Sequence, residues 1–195
     1  MKKYIAFGVA ATLWATLAGT AAAESYVGLS AGPSSYKLNC AGLSRCDKSD
    51  VGVKFFGGYR YNPMIAGELA YIDFGRSVSS GTQDGFQLEG TLRSRALAAN
   101  VALRLPLAKD LNGIARLGLA RVRSSLDQRA DGMVIASDAR TSIQPYLGLG
   151  LQYALHKNVS LDVGLDMTRA KLGNGSGGTT TSAVRLANAG VTYGF

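Results

Sequence analysis

Seven charged side chains lie in stretches of sequence that otherwise alternate between apolar and small or polar residues. The clearest stretch is 159–168, where Val, Leu and Met take every second position and two aspartates lie between them. This alternation predicts a β-strand with one apolar face. The charged residues fall on the faces opposite the apolar ones, and they are Lys54, Arg60, Glu68, Arg104, Arg116, Asp162 and Asp166.

Charges gathered on one side of several strands could form a structural salt-bridge plug, a gate in a narrow conduit or a catalytic pair of carboxylates. Buried charges are tolerated when they are paired and hydrogen-bonded, so we expect the plug. The pairs that neighbouring strands would offer are Lys54 or Arg60 with Glu68, and Arg104 or Arg116 with Asp162 or Asp166.

The charges lie within a chain that contains eight segments with this apolar–polar pattern. The connections between successive segments are long and short in turn. Outer-membrane barrels show this layout, and segments of about 10–13 residues approach the ~9–11 that a tilted membrane strand needs. We therefore predict an all-β, eight-stranded antiparallel up-and-down transmembrane β-barrel with a lumen filled by side chains. The predicted strands are about 25–35, 51–61, 65–74, 93–105, 113–123, 141–155 and 159–168, with a last one ending at Phe195; the predicted long loops are 36–50, 75–92, 124–140 and 172–180.

The N-terminus has the pattern of a secretory signal. Lys2 and Lys3 precede a short apolar run and three alanines, which predicts a signal peptide at 1–23 and one barrel domain at 24–195. Without the two lysines the chain has 19 basic and 13 acidic residues, a net charge of +6. No basic run is interleaved with aromatic residues, so we expect no nucleic-acid partner.

Residue types that support catalysis or metal binding are sparse. The only histidine, His156, lies in a predicted turn without a convincing nucleophile, so we predict no enzyme, no cofactor and no metal site. Cys40 and Cys46 enclose five residues, and in an exported chain they predict a disulfide that staples one loop.

Further cations cluster at the predicted external ends of the strands, and several share the parity of the apolar residues. In an outer leaflet of lipopolysaccharide, an arginine fork matches the geometry of a phosphate. Specific lipopolysaccharide binding and plain interfacial snorkelling both remain open. Under the binding hypothesis, charge reversal of Arg121 and Arg123 weakens lipopolysaccharide co-purification. The basic rim consists of Arg93, Arg95, Arg121, Arg123, Arg169, Lys171 and Arg185.

Aromatic residues lie at the opposite, predicted periplasmic ends and predict an interfacial girdle, with a ligand-stacking platform as the alternative. They are Tyr59, Tyr61, Tyr153, Tyr193 and Phe195. The last segment, 185–195, ends on Phe195, which predicts the closing strand and contact with the barrel-assembly machinery.

Three segments, SYVGLSAGPSSY, VGVKFFGGYRYNPMIAGELAYIDFG and the closing GVTYGF, carry a family resemblance together with the cysteine loop. On these residues the chain resembles the OmpA-like transmembrane-domain family of small outer-membrane barrels, over essentially all of the mature chain. Larger members add a periplasmic peptidoglycan-binding domain. Because this chain ends at Phe195, we do not expect that function here.

The resemblance implies a monomeric outer-membrane barrel with a structural or surface-interaction role: envelope integrity, adhesion or host-factor binding through the external loops. The expected partners are outer-membrane lipid, lipopolysaccharide, the assembly machinery and a host or surface ligand. Two alternatives remain. One is a small passive pore for ions or small solutes, and the other is a soluble periplasmic lipocalin-like carrier whose apolar strand faces would point inward.

Overall fold

The computed structural model describes residues 25–37, 45–47, 49–83, 86–130, 133–174 and 178–195. Residues 1–23 and Cys40, and with them the predicted signal peptide and disulfide, lie outside the described residues. No helix in the described ranges has the length and apolarity that a membrane crossing requires.

The described chain folds as an antiparallel sheet that closes on itself. Its strands are β1 (Ser25–Tyr36), β2 (Arg45–Asp47), β3 (Ser49–Arg60), β4 (Ile65–Gln83), β5 (Phe86–Ala108), β6 (Leu111–Ala130), β7 (Met133–Ala154), β8 (Val159–Asn174) and β9 (Gly178–Gly194). Around the barrel the order is β4-β3-β1-β9-β8-β7-β6-β5, and pairing between β4 and β5 closes the ring. The three-residue β2 pairs with β4 and takes no place in the ring. The predicted eight-stranded up-and-down barrel is confirmed.

The apolar strand faces point outward. On β8, Leu161 and Val163 are 43% and 51% exposed, whereas the intervening Asp162 is 8% exposed. A soluble carrier would bury the leucine and valine faces around its ligand, so this alternative is wrong for the chain. A closed ring leaves no unpaired edge within the membrane, and its apolar band then faces lipid.

One end of the barrel is closed by short turns. In the β3–β4 turn the Asn62 side chain accepts hydrogen bonds from the backbone N–H of Met64 and of Ile65. In the β7–β8 turn the backbone N–H of His156 donates to the carbonyl of Val159. Short turns of this kind mark the periplasmic side of an outer-membrane barrel.

At the other end, the strands run far into the segments predicted as long loops. Pairing of β4 with β5 continues to Gln83 opposite Phe86, and pairing of β6 with β7 continues to Ala130 opposite Met133. The predicted loops 75–92 and 124–140 are therefore wrong for most of their length. Water surrounds both faces of the hairpins there, so both faces carry polar residues such as Ser, Thr and Arg. A strand with two polar faces shows no alternation of apolar and polar residues, and the sequence pattern therefore does not predict it.

The two long hairpins form one sheet above the membrane. β5 and β6 remain paired as far as Leu88 opposite Ala130, whereas the pairing of β7 with β8 ends at Leu147 opposite Met167. Pro145 follows this last pair outward along β7 and has no N–H to donate. The outer part of β7 therefore separates from β8, and the hairpin sheet projects from one side of the barrel.

The outer half of the lumen holds an apolar plug that the strand pattern does not predict. The side chains of Ile72, Phe74, Val122, Val184 and Leu186 are essentially fully buried there. The buried charged residues lie nearer the short turns, so two layers of different chemistry fill the described lumen. The layers meet where Ile72 lies opposite Lys54 and Leu186 lies opposite Asp166.

Candidate functional site

The inner half of the lumen contains two ion pairs, and the first joins opposite walls. Lys54 on β3 reaches across to Asp166 on β8, with 2.9 Å between Nζ and each carboxylate oxygen. The hydroxyl of Tyr146 donates to Asp166 Oδ1, and the amide of Asn188 donates to Oδ2 at 2.8 Å. Because both charged side chains are almost completely buried, these contacts replace the water that the ions have lost.

The second ion pair joins β6 to β4. Arg116 donates from Nε to Glu68 Oε2 at 2.6 Å and from Nη2 to Oε1 at 3.2 Å, which is the bidentate geometry of a strong pair. The hydroxyl of Tyr26 donates to Oε1 at 2.7 Å. The ring of Phe56 lies between the two pairs, with Lys54 Nζ 5.1 Å and Arg116 Cζ 5.3 Å from its centroid.

These pairings correct the prediction drawn from neighbouring strands. Lys54 contacts Asp166 and not Glu68, and Arg116 contacts Glu68 and neither lumenal aspartate. The lumen is narrow enough for long side chains to cross it, so strand adjacency does not determine the pairs. Arg104 donates to Gln152, which in turn donates to Asp162.

Sequence patterns also missed the neutral partners of the lumenal charges. Tyr26, Tyr146, Asn188 and Thr192 all donate to lumenal carboxylates. Arg60 lies over the ring of Tyr26, with 5.0 Å from Cζ to the centroid. Strand parity could have identified these residues, because each of them occupies an inward position on its strand.

Cavities beside the charges are small. One of about 20 Å³ lies near Arg60, Glu68 and Arg116 at the short-turn end, and one of about 10 Å³ lies beside Lys54 and Asp166. A single water needs roughly 10–15 Å³, so each of these cavities has room for about one. Neither offers a path for hydrated ions.

We expect purified barrels in planar lipid bilayers to show no single-channel steps, because the ion pairs and the apolar plug fill the lumen. The measurement is current at constant voltage, with an open porin as positive control. Reproducible steps that vanish when Lys54 or Glu68 is neutralised would contradict this expectation and favour the pore.

The cations of the predicted basic rim all point outward, and register sorts them into two clusters. On β5 and β6, Arg95 lies opposite Arg123 and Leu97 lies opposite Arg121, with Arg93 one step further out. We call this set the β5–β6 cluster. A second set, the seam cluster, consists of Arg169 and Lys171 on β8, Arg185 on β9 and Lys37, which directly follows β1. Lys37 is absent from the predicted rim.

The β5–β6 cluster contains its own counter-ion. Asp73 on β4 accepts hydrogen bonds from Arg93 at 2.8 Å and Arg95 at 3.1 Å. The carboxylate therefore neutralises part of this cluster.

A backbone bulge positions Asp73. The β4–β5 register shifts between Asp73 and Arg76, and Gly75 has a φ of 72°. A Cβ there would lie 2.7 Å from the Val51 carbonyl, so only glycine fits this left-handed position. The Asp50 carboxylate holds the far side of the bulge by accepting the Arg76 N–H at 2.6 Å.

Two members of the seam cluster, Lys37 and Arg185, line a groove on the outside of the barrel, where the first and last strands meet. Ser35, Tyr36, Lys37, Ala183 and Arg185 surround a volume of about 330 Å³. The Lys37 N–H donates to the Ala183 carbonyl at 3.0 Å, and the Lys37 carbonyl accepts from the Ser182 hydroxyl at 2.5 Å. The groove walls are therefore tied together by the backbone.

The five aromatic residues of the predicted girdle are exposed at the short-turn end. Tyr59 and Tyr61 meet edge to face at 5.2 Å between centroids, and Tyr193 and Phe195 do so at 5.3 Å. Amphipathic rings in this position suit a membrane interface.

His156 is exposed in the β7–β8 turn. The described residues contain no group of three His, Cys, Asp or Glu side chains placed to hold a metal ion.

A closed barrel with an apolar outer band, a sealed ionic lumen and short turns at one end defines an outer-membrane β-barrel protein. Residues 20–195 match the family described as the OmpA-like transmembrane domain, and the chain belongs to that family. It is 26% identical over 204 residues to outer membrane protein A of Salmonella typhi, covering 100% of this chain and 55% of that protein. The chain thus spans about half the length of the curated relatives it matches. Its location is the outer membrane, and its family is one of outer-membrane barrels, not of enzymes.

Two solved structures share the fold at low sequence identity. The Neisserial surface protein A gives a TM-score of 0.59 at 20% identity, covering 88% of this chain and 97% of that one. Ail, the attachment invasion locus protein of Yersinia pestis, solved in complex with the heparin analogue sucrose octasulfate, gives 0.56 at 16% identity, covering 89% and 99%.

Proposed function

We propose that this protein is a surface-interaction barrel that presents a rigid sheet of two hairpins for adhesion or host-factor binding. The observation that carries the proposal is the hydrogen-bonded extension of β4–β5 and β6–β7 beyond the outward cations. Its backbone is already ordered, so binding a partner costs little loop entropy.

The hairpin sheet is reinforced on its outer edge and between strands. β2 pairs with β4 through Cys46 opposite Ser79 and the residues on either side. The Ser137 hydroxyl donates to Asp127 across the β6–β7 hairpin at 2.7 Å. Ail, an attachment invasion locus protein solved with a heparin analogue bound, supports a surface role for the shared fold without identifying a ligand here.

The basic rim supplies the second part of the proposal. We infer that its outward cations engage phosphates of the lipopolysaccharide leaflet and hold the barrel at a fixed depth. Arginine forks match phosphate oxygens, and the rim lies on the side away from the short turns. The apolar plug and the lumenal ion pairs then serve as a rigid support, and envelope integrity follows from the sealed barrel.

Trimming both hairpins while keeping the barrel tests the surface role. Val78 lies opposite Thr91, and Asp127 lies opposite Ser137, so residues 79–90 and 128–136 can each be replaced by Asn-Gly. We expect adhesion of cells displaying the trimmed chain to cultured epithelial cells to fall at least fivefold relative to the full chain.

Heat-modifiable gel mobility and surface labelling provide the control, since both must match the full chain before adhesion is compared. Undiminished adhesion by a folded, displayed, trimmed barrel would remove the hairpins from the proposed function.

A further inference from the structure

The seam between β1 and β9 carries a charge pattern different from that of the β5–β6 cluster. Lys37, Arg169, Lys171 and Arg185 are all exposed. The described outward positions of β1, β8 and β9 include no acidic residue, whereas Asp73 lies within the β5–β6 cluster. The uncompensated cations and the groove therefore coincide.

Small residues continue below the groove on the outer wall. Ala31 on β1 pairs with Ala189 on β9, and the next positions outward are Pro33 and Ala187, all four exposed. Larger side chains border them on both sides: Val51 and Val53 on β3, and Val163 and Leu165 on β8. A shallow trough results, open at the top to the groove.

The trough ends where large side chains occur again on both β1 and β9. Leu29 pairs with Val191, and both are exposed large side chains. From Ser35 to Leu29 the strand covers about 20 Å, which with strand tilt corresponds to one leaflet of a ~30 Å hydrocarbon core. The trough therefore has the length and polarity of an acyl-chain site in the outer leaflet.

We propose that the seam is a binding site for one molecule of a phosphorylated glycolipid, the lipid A part of lipopolysaccharide. Lys37 and Arg185 bind a phosphate in the groove, Arg169 and Lys171 supply further positive charge, and one acyl chain lies in the alanine trough. This inference rests on the proposed role of the basic rim and narrows it to a single location. Ser35 and Ala183 also line the groove, and a hydrogen bond to the Ala183 carbonyl fixes the backbone of Lys37.

Binding of lipid A to the purified full chain in detergent tests the site, with native mass spectrometry counting bound molecules. The paired variants Lys37→Gln with Arg185→Gln and Arg121→Gln with Arg123→Gln remove equal charge from the two clusters. We expect the seam pair to weaken binding of the first lipid A at least tenfold. The β5–β6 pair belongs to the same rim but has Asp73 as a counter-ion, so we expect it to weaken this binding by a clearly smaller factor. Ala187→Leu with Ala189→Leu, which fills the trough and keeps every charge, is expected to weaken it about fivefold.

Changing the ligand separates the contribution of the phosphates from that of the acyl chains. Monophosphoryl lipid A and phosphatidylglycerol are expected to bind more weakly than diphosphoryl lipid A, and inorganic phosphate is expected to be insensitive to the trough variant. Equal losses from the two charge pairs would overturn the seam site and leave the basic rim standing. If the unsubstituted chain retains no lipid A, the seam site and the rim both fail, while adhesion through the hairpins is judged separately.

Discussion

Replacing Asp166 by Asn is expected to lower the free energy of unfolding of the barrel by about 3–5 kcal/mol, because it leaves the Lys54 ammonium buried without its counter-ion. Lys54 is 2% exposed, and among the described residues its ammonium donates otherwise to the Tyr146 hydroxyl at 3.1 Å. A neutral amide cannot replace the Coulomb attraction of two carboxylate contacts at 2.9 Å. The measurement is reversible urea unfolding in detergent micelles, with far-UV circular dichroism as the signal.

A double variant separates pairing from packing. Lys54→Met with Asp166→Leu removes both charges, and a buried pair replaced by apolar groups is often neutral or stabilising. We expect the double variant to recover most of the lost stability. Asp110→Asn in the exposed β5–β6 turn serves as the matched control and is expected to change nothing measurable. A single variant as stable as the original barrel would show that the ion pair is not structural.

Replacing Gly190 by Ala is expected to destabilise the barrel by about 2–3 kcal/mol, because an added Cβ meets backbone that cannot move aside. That Cβ would lie 2.1 Å from the Leu29 carbonyl and 2.5 Å from the Ser30 Cα, both on β1. The clash falls on the seam that joins the first and last strands. Loss of the heat-resistant fast-migrating band on a detergent gel, together with urea unfolding, measures the effect.

Gly194 provides the control on the same strand and the same inward face. A Cβ added at Gly194 has no heavy atom within 4 Å, so Gly194→Ala is expected to shift stability by less than about 0.5 kcal/mol. Equal tolerance of the two substitutions would mean that β1 and β9 do not pack as closely as described.

The Asp166 and Gly190 substitutions together show which part of the barrel contributes more to its stability. The Asp166 substitution tests the ionic layer, and the Gly190 substitution tests closure of the ring. Neither substitution touches the hairpin sheet, so adhesion can be measured on both variants wherever they still fold. Lipid A binding is measured on the Asp166 variant alone, because Gly190 follows Ala189 of the trough along β9.

Much of the barrel is predictable from strand parity. In 159–168, period two alone places the leucines and valines outward and the aspartates inward, because side chains alternate across a strand. The short turn at Asn62 is likewise predictable from local chemistry, since an Asn side chain can accept hydrogen bonds from the residues that follow. The outer hairpins cannot be predicted in this way, because polar residues on both faces leave no alternation of apolar and polar side chains.

The sequence by itself determined which side chains face lipid, which face the lumen and where the chain turns sharply, since these depend on neighbours two to four residues away. Only the tertiary structure decided that Lys54 meets Asp166 across the lumen and that Lys37 and Arg185 line one groove at the closing seam. The physical reason is that these partners come from strands far apart in the chain. Ring closure and register bring them within reach, and neither is encoded in the spacing along one strand.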